Sequence, residues 1–294
     1  MKAQGYESST IRSVYYVLGS QNIIPLTKSG YKSLDAKMVL MRKSGQIPWG
    51  TFAVKRGTSV EASSYFTPEQ WANYWVARLK DASSRYSLPR WFGQTHLVEV
   101  WVEKDGLLGA TSNWLSDLDV TCRAPQGQGA WEFIYSSMKA IQEELEEQDK
   151  TEAHILYLGD LDPSGMAIPK VLQEQGIPFF EEHFGMDAVD FKVIALSPQQ
   201  VTDNNLPEMP ESDEVLQKIN RDPNLKWYRE TYPDMFTELD ALFALATVEA
   251  KRIIRDAVLA YFDDAQFKKS RKVEQNNKGE VQDIVDDEVE FKED

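Results

Sequence analysis

From about residue 92 onward, strand-like and helix-like segments alternate, and few folds accommodate that order. HLVEVWVE has the apolar and β-branched content of a strand, and KDGLLGATSNWL follows as a turn and helix. A short strand at DVTC, a helix over about 129–147 and the strand AHILYLG come next. Then come a turn at DLDPSG, a helix over about 165–175 and the strand FKVIAL. This alternation predicts an α/β fold, a mainly parallel sheet with helices on its faces. Residues 212–263 read as helical, with an amphipathic stretch in ELDALFALATVEAKRIIRDAVLAYF. The chain has 294 residues, 42% hydrophobic and 27% charged, the composition of a soluble globular protein. No apolar run approaches the ~18–20 residues of a membrane span. The segment MKAQGYESST has no apolar core for a secretory signal. One cysteine, Cys122, excludes an internal disulfide or a multi-cysteine zinc site and points to a reducing, cytoplasmic compartment.

The N-terminal part has a different character. Ser8, Ser9 and Thr10 offer N-caps for a helix over about 11–18, ended near Gly19. After Pro25, Thr27 can cap a longer helix to about Ser44, closed by Gly45. Its apolar positions Tyr31, Leu34, Met38 and Met41 follow helical spacing, and Lys28, Lys32, Lys37, Arg42 and Lys43 lie mostly off that stripe. IPWGTFAVKRGT is β-like, with Lys55 and Arg56 at its tip. Helix, turn, basic helix and basic hairpin is the order of a winged helix-turn-helix, which sets its second helix in a DNA groove and its wing on the backbone. A further helix over about 68–82 leads to the linker SSRYSLPRW.

Charge is unevenly distributed. Residues 1–60 hold nine Lys/Arg against two acids, a net of +7 in a chain whose total is −15. A phosphate-binding surface needs only such a local basic patch. Glu280–Asp294 has eight acids and one lysine and reads as a disordered, solubilising tail. The predicted organisation is therefore a winged-helix domain over 1–85, an α/β domain with C-terminal helices over 92–263, and an acidic tail over 264–294.

Ligands of an open parallel sheet collect at the carboxyl ends of its strands. Two such ends are acidic here. VEVWVE ends in Glu103, and HILYLGDLDPSG presents Asp160 and Asp162, with Pro163 and Gly165 turning the chain into the next helix. Three carboxylates at adjacent strand ends make a hard, oxygen-rich site suited to Mg²⁺.

VEVWVEKDGL followed by YLGDLDPSG resembles the Toprim domain of topoisomerases, bacterial primases and related nucleases. STIRSVYYVLGSQNIIP resembles the catalytic-tyrosine motif of the topoisomerase VI A subunit and the related meiotic double-strand-break protein, with Arg12 and Tyr16 at the family's spacing. RKSGQIPW, ALSPQQVTDNNLP and ELDAL also look like compact A-subunit homologues of bacteria, archaea and their mobile elements. The resemblance covers about residues 8–262. It implies a type IIB topoisomerase-like transesterification on double-stranded DNA. Tyr16 would attack a phosphodiester and be joined to the 5′ end, Arg12 would stabilise phenolate or phosphate, and Glu103, Asp160 and Asp162 would hold Mg²⁺. It also implies a homodimer in which the tyrosine of one subunit meets the metal site of the other, and it allows a separate ATPase subunit of the B type. Two alternatives stand beside it: a Toprim nuclease that hydrolyses DNA with water, and a non-catalytic DNA-binding subunit.

Tyr15 is the competing tyrosine. The two side chains lie about 100° apart on a helix, so both cannot face DNA equally, and the family pattern favours Tyr16. Lys104 reads equally as a phosphate contact or a solvated lysine. His96, His154 and His183 have no ligand spacing and read as structural or exposed. Trp49, Trp71, Trp75, Trp91, Trp101 and Trp114 read as core residues, and Cys122 as a buried small residue.

Overall fold

The computed structural model describes residues 11–48, 51, 67–125, 131–187, 189–209 and 213–288. They fall into two units, Met1–Lys55 with Thr95–Tyr261, and Arg56–Gln94 with Phe262–Asp294.

The first unit is built on a four-stranded, fully parallel sheet. Its strands are β1 (His96–Val102), β2 (Thr121–Arg123), β3 (Glu152–Leu158) and β4 (Asp190–Ala195), in the order β2-β1-β3-β4. β1 and β3 pair without slippage from His96 opposite Glu152 to Val102 opposite Leu158. This alignment puts both acidic strand ends side by side. The predicted alternation is therefore present, with parallel strands joined through helices.

Both faces of β1 and β3 are buried, as a sheet covered on two sides requires. Leu97, Trp101, Ile155 and Tyr157 face one way and pack with Ile134, Met138 and Ile141 of α6 (Trp131–Glu147) and with Ile177 and Phe180 of α8 (Ile177–Phe184). Glu99 lies among them, 1% exposed. It is tolerated because Arg123 of β2 donates to both its oxygens at 2.8–3.0 Å and the Trp101 indole N–H donates at 2.7 Å. On the opposite face, Val98, Val100, Leu156 and Leu158 are buried. There α13 (Thr247–Leu259) packs against β4 and α5 (Asp105–Trp114), and α5 against β1.

Two N-terminal helices belong to this unit, not to a separate domain over 1–85. In α1 (Ile11–Ser20) Ser13, Tyr15, Tyr16 and Gly19 are buried, and the helix packs on both α12 (Leu239–Leu245) and α2 (Lys28–Lys43). As predicted, Thr27 caps α2 (Lys28–Lys43), its side chain accepting from Gly30 N. The hairpin expected next falls mostly outside the described residues, Lys55 and Arg56 included.

The second unit corrects two expectations. Asp264–Glu288 is a single helix, α14, rather than a disordered tail, and only 289–294 lie beyond the described residues. Its partner is the stretch read as a linker. Ser270 Oγ donates to Phe92 O, Glu274 accepts from Leu88 N, and Ser83 Oγ donates to Lys278 O. Acidic composition disfavours burial, but these fixed partners and the Arg271–Glu274 and Lys278–Glu274 pairs offset it. α3 (Pro68–Lys80) begins with a Thr67/Gln70 capping box. Its Trp71 and Trp75 are exposed rather than core, because helical spacing puts them on one face without specifying anything to cover it. Trp91, Trp101 and Trp114 are buried as expected, and Trp49 lies outside the described residues. No helix among the described residues is long and apolar enough to cross a membrane.

Candidate active site

The carboxyl ends of β1 and β3 place Glu103 beside Asp160. Glu103 Oε2 accepts from the Asp160 main-chain N–H at 2.8 Å. Asp162 caps α7 (Pro163–Val171), its Oδ1 accepting from Gly165 N at 2.6 Å. A Cβ on Gly165 would lie 2.5 Å from Asp160 O, so this tight turn admits no larger residue without backbone movement.

A second segment closes over the acidic turn. Leu161 and Thr237 form an isolated antiparallel bridge, exchanging main-chain hydrogen bonds at 2.9 and 3.0 Å. The bridge carries ELDAL onto the site. Asp160 Oδ1 accepts from Leu239 N at 2.7 Å, and Glu238 and Asp240 face Lys104. The Lys104 ammonium is 2.8 Å from Asp160 and from Asp240 and 3.6 Å from Glu238. It is therefore neither a free surface lysine nor poised alone for phosphate. It is the cation at the centre of a carboxylate ring.

α1 completes the arrangement. Its seat on α12 brings Arg12 and Tyr16 to the same carboxylate. Arg12 donates to Glu238 Oε1 and the Tyr16 hydroxyl to Glu238 Oε2, each at 2.7 Å. Tyr15 turns elsewhere and donates to Thr27 O at 3.0 Å. The two tyrosines are thus separated by their partners, and Tyr16 alone joins the acidic network. That network belongs to Tyr16's own chain, whereas the resemblance implies the metal site of another subunit. The packing of α1 on α12 is what brings the two together.

Five carboxylates (Glu103, Asp160, Asp162, Glu238 and Asp240) surround two cations, Lys104 and Arg12, and burial together with these charges shifts Glu103, Asp160 and Glu238. Burial, helped by Glu103, pushes the Asp160 carboxyl up to about 7 against the pull of Lys104. Glu103 is also raised by burial, opposed by the hydrogen bond from Asp160 N. Burial works upward on Glu238, but Lys104 and Arg12 outweigh it and hold Glu238 below the usual carboxylate range. Burial, then the Glu238 charge, pushes the Tyr16 phenol well above its ordinary range. Burial alone would lower Lys104, but Asp160, Asp240 and Glu238 hold it firmly protonated.

The donor set fits Mg²⁺ in its chemistry. All the donors are hard oxygens, and the carboxylates exceed the cations. Mg²⁺ usually takes one or two carboxylates directly and keeps several waters, and the ligand atoms of Glu103, Asp160 and Asp162 do not all lie within 4.8 Å of one another. The Tyr157 hydroxyl supports the fit. It is buried with no hydrogen-bond partner among the described residues. It lies 3.1 Å, and Glu103 Oε2 2.8 Å, from the point where a Cβ on Gly159 would stand.

The predicted basic surface is present in part. Lys28, Lys32, Lys37 and Lys43 are exposed, but Arg42 is buried, 8% exposed, and is withdrawn from that surface. Arg42 is one turn beyond Met38 and falls at the edge of the apolar stripe. Lys28, Lys32 and Lys43 share one helix face, with Lys37 on another.

Sequence reasoning passed over Glu238 and Asp240, although an acidic pair at the start of an apolar helix was a usable signal. It also found no ligand spacing among the histidines, yet His96 and His154 stand side by side on neighbouring strands. Comparison of the chain with protein-family models, with curated proteins and with solved structures gives no match.

Proposed function

We propose that this protein cleaves and rejoins double-stranded DNA by a type IIB topoisomerase-like transesterification, with Tyr16 as the nucleophile. The observation that carries the reading is the Tyr16–Glu238 hydrogen bond, set beside the acidic ends of β1 and β3. A phenol is a weak nucleophile at neutral pH, and burial makes this one weaker still, so it needs a base in contact. Glu238 is that base. It is held ionised by Lys104 and Arg12 and already accepts a hydrogen bond from the hydroxyl.

In the forward step the Tyr16 oxygen bonds to phosphorus, its proton passes to Glu238, and the bond from phosphorus to the 3′ oxygen breaks. The 3′ oxygen takes its proton from water, since Lys104 is too firmly protonated to give one up. The product is a 5′-phosphotyrosyl link, and reversal reseals the strand with no net change in bond type. Glu103, Asp160 and Asp162 would hold Mg²⁺, which when bound supplies charge stabilisation at the phosphate. Arg12 neutralises phosphate charge near Tyr16.

The finer fold assignment belongs to the same reading: a winged-helix element through α1 and α2, and a Toprim-type sheet. Lys28, Lys32 and Lys43 would follow the DNA backbone. A homodimer would match the two-fold symmetry of the duplex, a B-type ATPase subunit would be its partner, and the compartment would be cytoplasmic. A hydrolytic Toprim nuclease is the second reading, favoured by the burial of Tyr16, which is 5% exposed. Denaturant trapping of covalent protein–DNA adducts separates the two. Transesterification predicts a Mg²⁺-dependent adduct that Tyr16→Phe abolishes and Tyr15→Phe retains. A nuclease predicts no adduct and a Tyr16→Phe protein that still cuts.

A further inference from the structure

At the amino end of the sheet, opposite the acidic turns, His96 and Glu152 open β1 and β3 as paired residues, and His154 lies two positions further along β3. His96 Nδ1 is 3.0 Å from His154 Nε2 and 3.5 Å from Glu152 Oε2, and His154 Nε2 is 3.8 Å from the same carboxylate oxygen. Among the described residues this is the one group of three or more His, Cys, Asp or Glu whose ligand atoms all lie within 4.8 Å of one another. We propose that these three residues form a site for a borderline divalent metal, Zn²⁺ in the first instance, held by two imidazoles and one carboxylate with a water in the fourth position.

The geometry carries the inference. With Zn–N and Zn–O bonds of about 2.0–2.1 Å, ligand atoms at the corners of a tetrahedron stand about 3.3–3.4 Å apart. The three observed separations bracket that value, so shifts of a few tenths of an ångström form the site. The donor set selects the metal. Two nitrogens suit Zn²⁺ and its transition-metal neighbours and disfavour Mg²⁺ and Ca²⁺.

The surroundings have the form of a metal-ligand support. Asp190, the first residue of β4, lies 3.1 Å from His154 Nδ1. This contact assigns the proton to Nδ1 and turns the Nε2 lone pair toward His96 and Glu152, the carboxylate–histidine pairing that orients metal-bound imidazoles. The Tyr261 hydroxyl donates to the same Asp190 oxygen, and its ring lies 4.0 Å from that of His154. Lys150 is the nearby cation, and its ammonium donates to the His96 carbonyl at 3.2 Å. One shared hydrogen would account for the His96–His154 contact but not for the Glu152 oxygen that lies beside both nitrogens. A metal uses all three.

The site is independent of the DNA-cleavage reading, and so is its test. Full-length protein is dialysed against micromolar Zn²⁺ with millimolar Mg²⁺ present to occupy oxygen sites, and bound zinc is counted. Wild type should retain one Zn²⁺ per chain. His96→Ala should lose it, Glu152→Ala should weaken it at least tenfold, and Asp190→Asn should weaken it about tenfold. Asp160→Asn should leave it unchanged. Glu152 is exposed, so its variant folds whatever the fate of His96→Ala. Co²⁺ in place of Zn²⁺ should develop the visible absorption of a four-coordinate ion, and His96→Ala should erase it. Failure of wild type to retain zinc, or retention that survives both His96→Ala and Glu152→Ala, overturns the proposal.

Discussion

Asp160→Asn should stabilise the protein in EDTA at pH 8, although it removes a buried residue's charge from two close contacts. Asparagine keeps an oxygen that can accept from Leu239 N and face Lys104, as Asp160 Oδ1 does now. What it loses is charge in a cluster that holds too much of it. Burial first, then Glu103, raises the Asp160 carboxyl from 3.8 to about 7. The native state therefore keeps a proton that the unfolded chain releases near pH 4. The stability this proton confers is fully present below the unfolded value and is lost as pH rises through about 7. That difference, at about 1.4 kcal/mol per pH unit, comes to at most about 4 kcal/mol. In EDTA the wild type should lose stability between pH 4 and 8, and the variant should lose correspondingly less. Near pH 4 the two should agree. Thermal unfolding followed by circular dichroism reads this out, each kcal/mol moving the midpoint by about 2–4 °C. Mg²⁺ should then narrow the gap. At a hundredfold excess over its dissociation constant it adds about 2.7 kcal/mol to the protein that binds it, and less to the variant. If Asp160→Asn is less stable than wild type at pH 8 in EDTA, or both share one pH slope, the carboxylate is a satisfied partner of Lys104 and the charge-excess argument fails.

Two further outcomes follow from the same structure. Replacing Lys28, Lys32 and Lys43 by Ala should reduce the slope of log affinity against log salt for duplex DNA by about 0.9 per lost phosphate contact, read by fluorescence anisotropy, and an unchanged slope would place the DNA elsewhere. Arg123→Met should cost about 3 kcal/mol in chemical denaturation, because the Glu99 carboxylate keeps only the Trp101 hydrogen bond in a buried position; adding Glu99→Gln should recover most of the loss, and no recovery would mean that Arg123 acts through packing.

Local chemistry determined much of this protein before any tertiary contact. The parallel sheet was legible because strands and helices alternate with their turn residues in place, and the limits of α2 because Thr27 and Gly45 mark them. The acids of DLDPSG were legible because turn, cap and strand end are all short-range features. The burial of Arg42 was not read from the sequence, which set it with the exposed lysines although it lies one turn past Met38. What lay beyond the sequence depended on residues far apart in the chain. Glu238 meets Tyr16 only because α1 packs on α12 and the Leu161–Thr237 bridge fixes ELDAL above the strand ends. His96 and His154 have no ligand spacing along the chain and become neighbours only through the register of β1 against β3. The acidic C-terminal segment is helical because partners near residues 83–92 accept and donate its hydrogen bonds, which composition cannot reveal. Spacing along one element is set by backbone geometry, whereas the meeting of two elements is set by the packing that buries their apolar faces, and the candidate catalytic and metal centres both arise from such meetings.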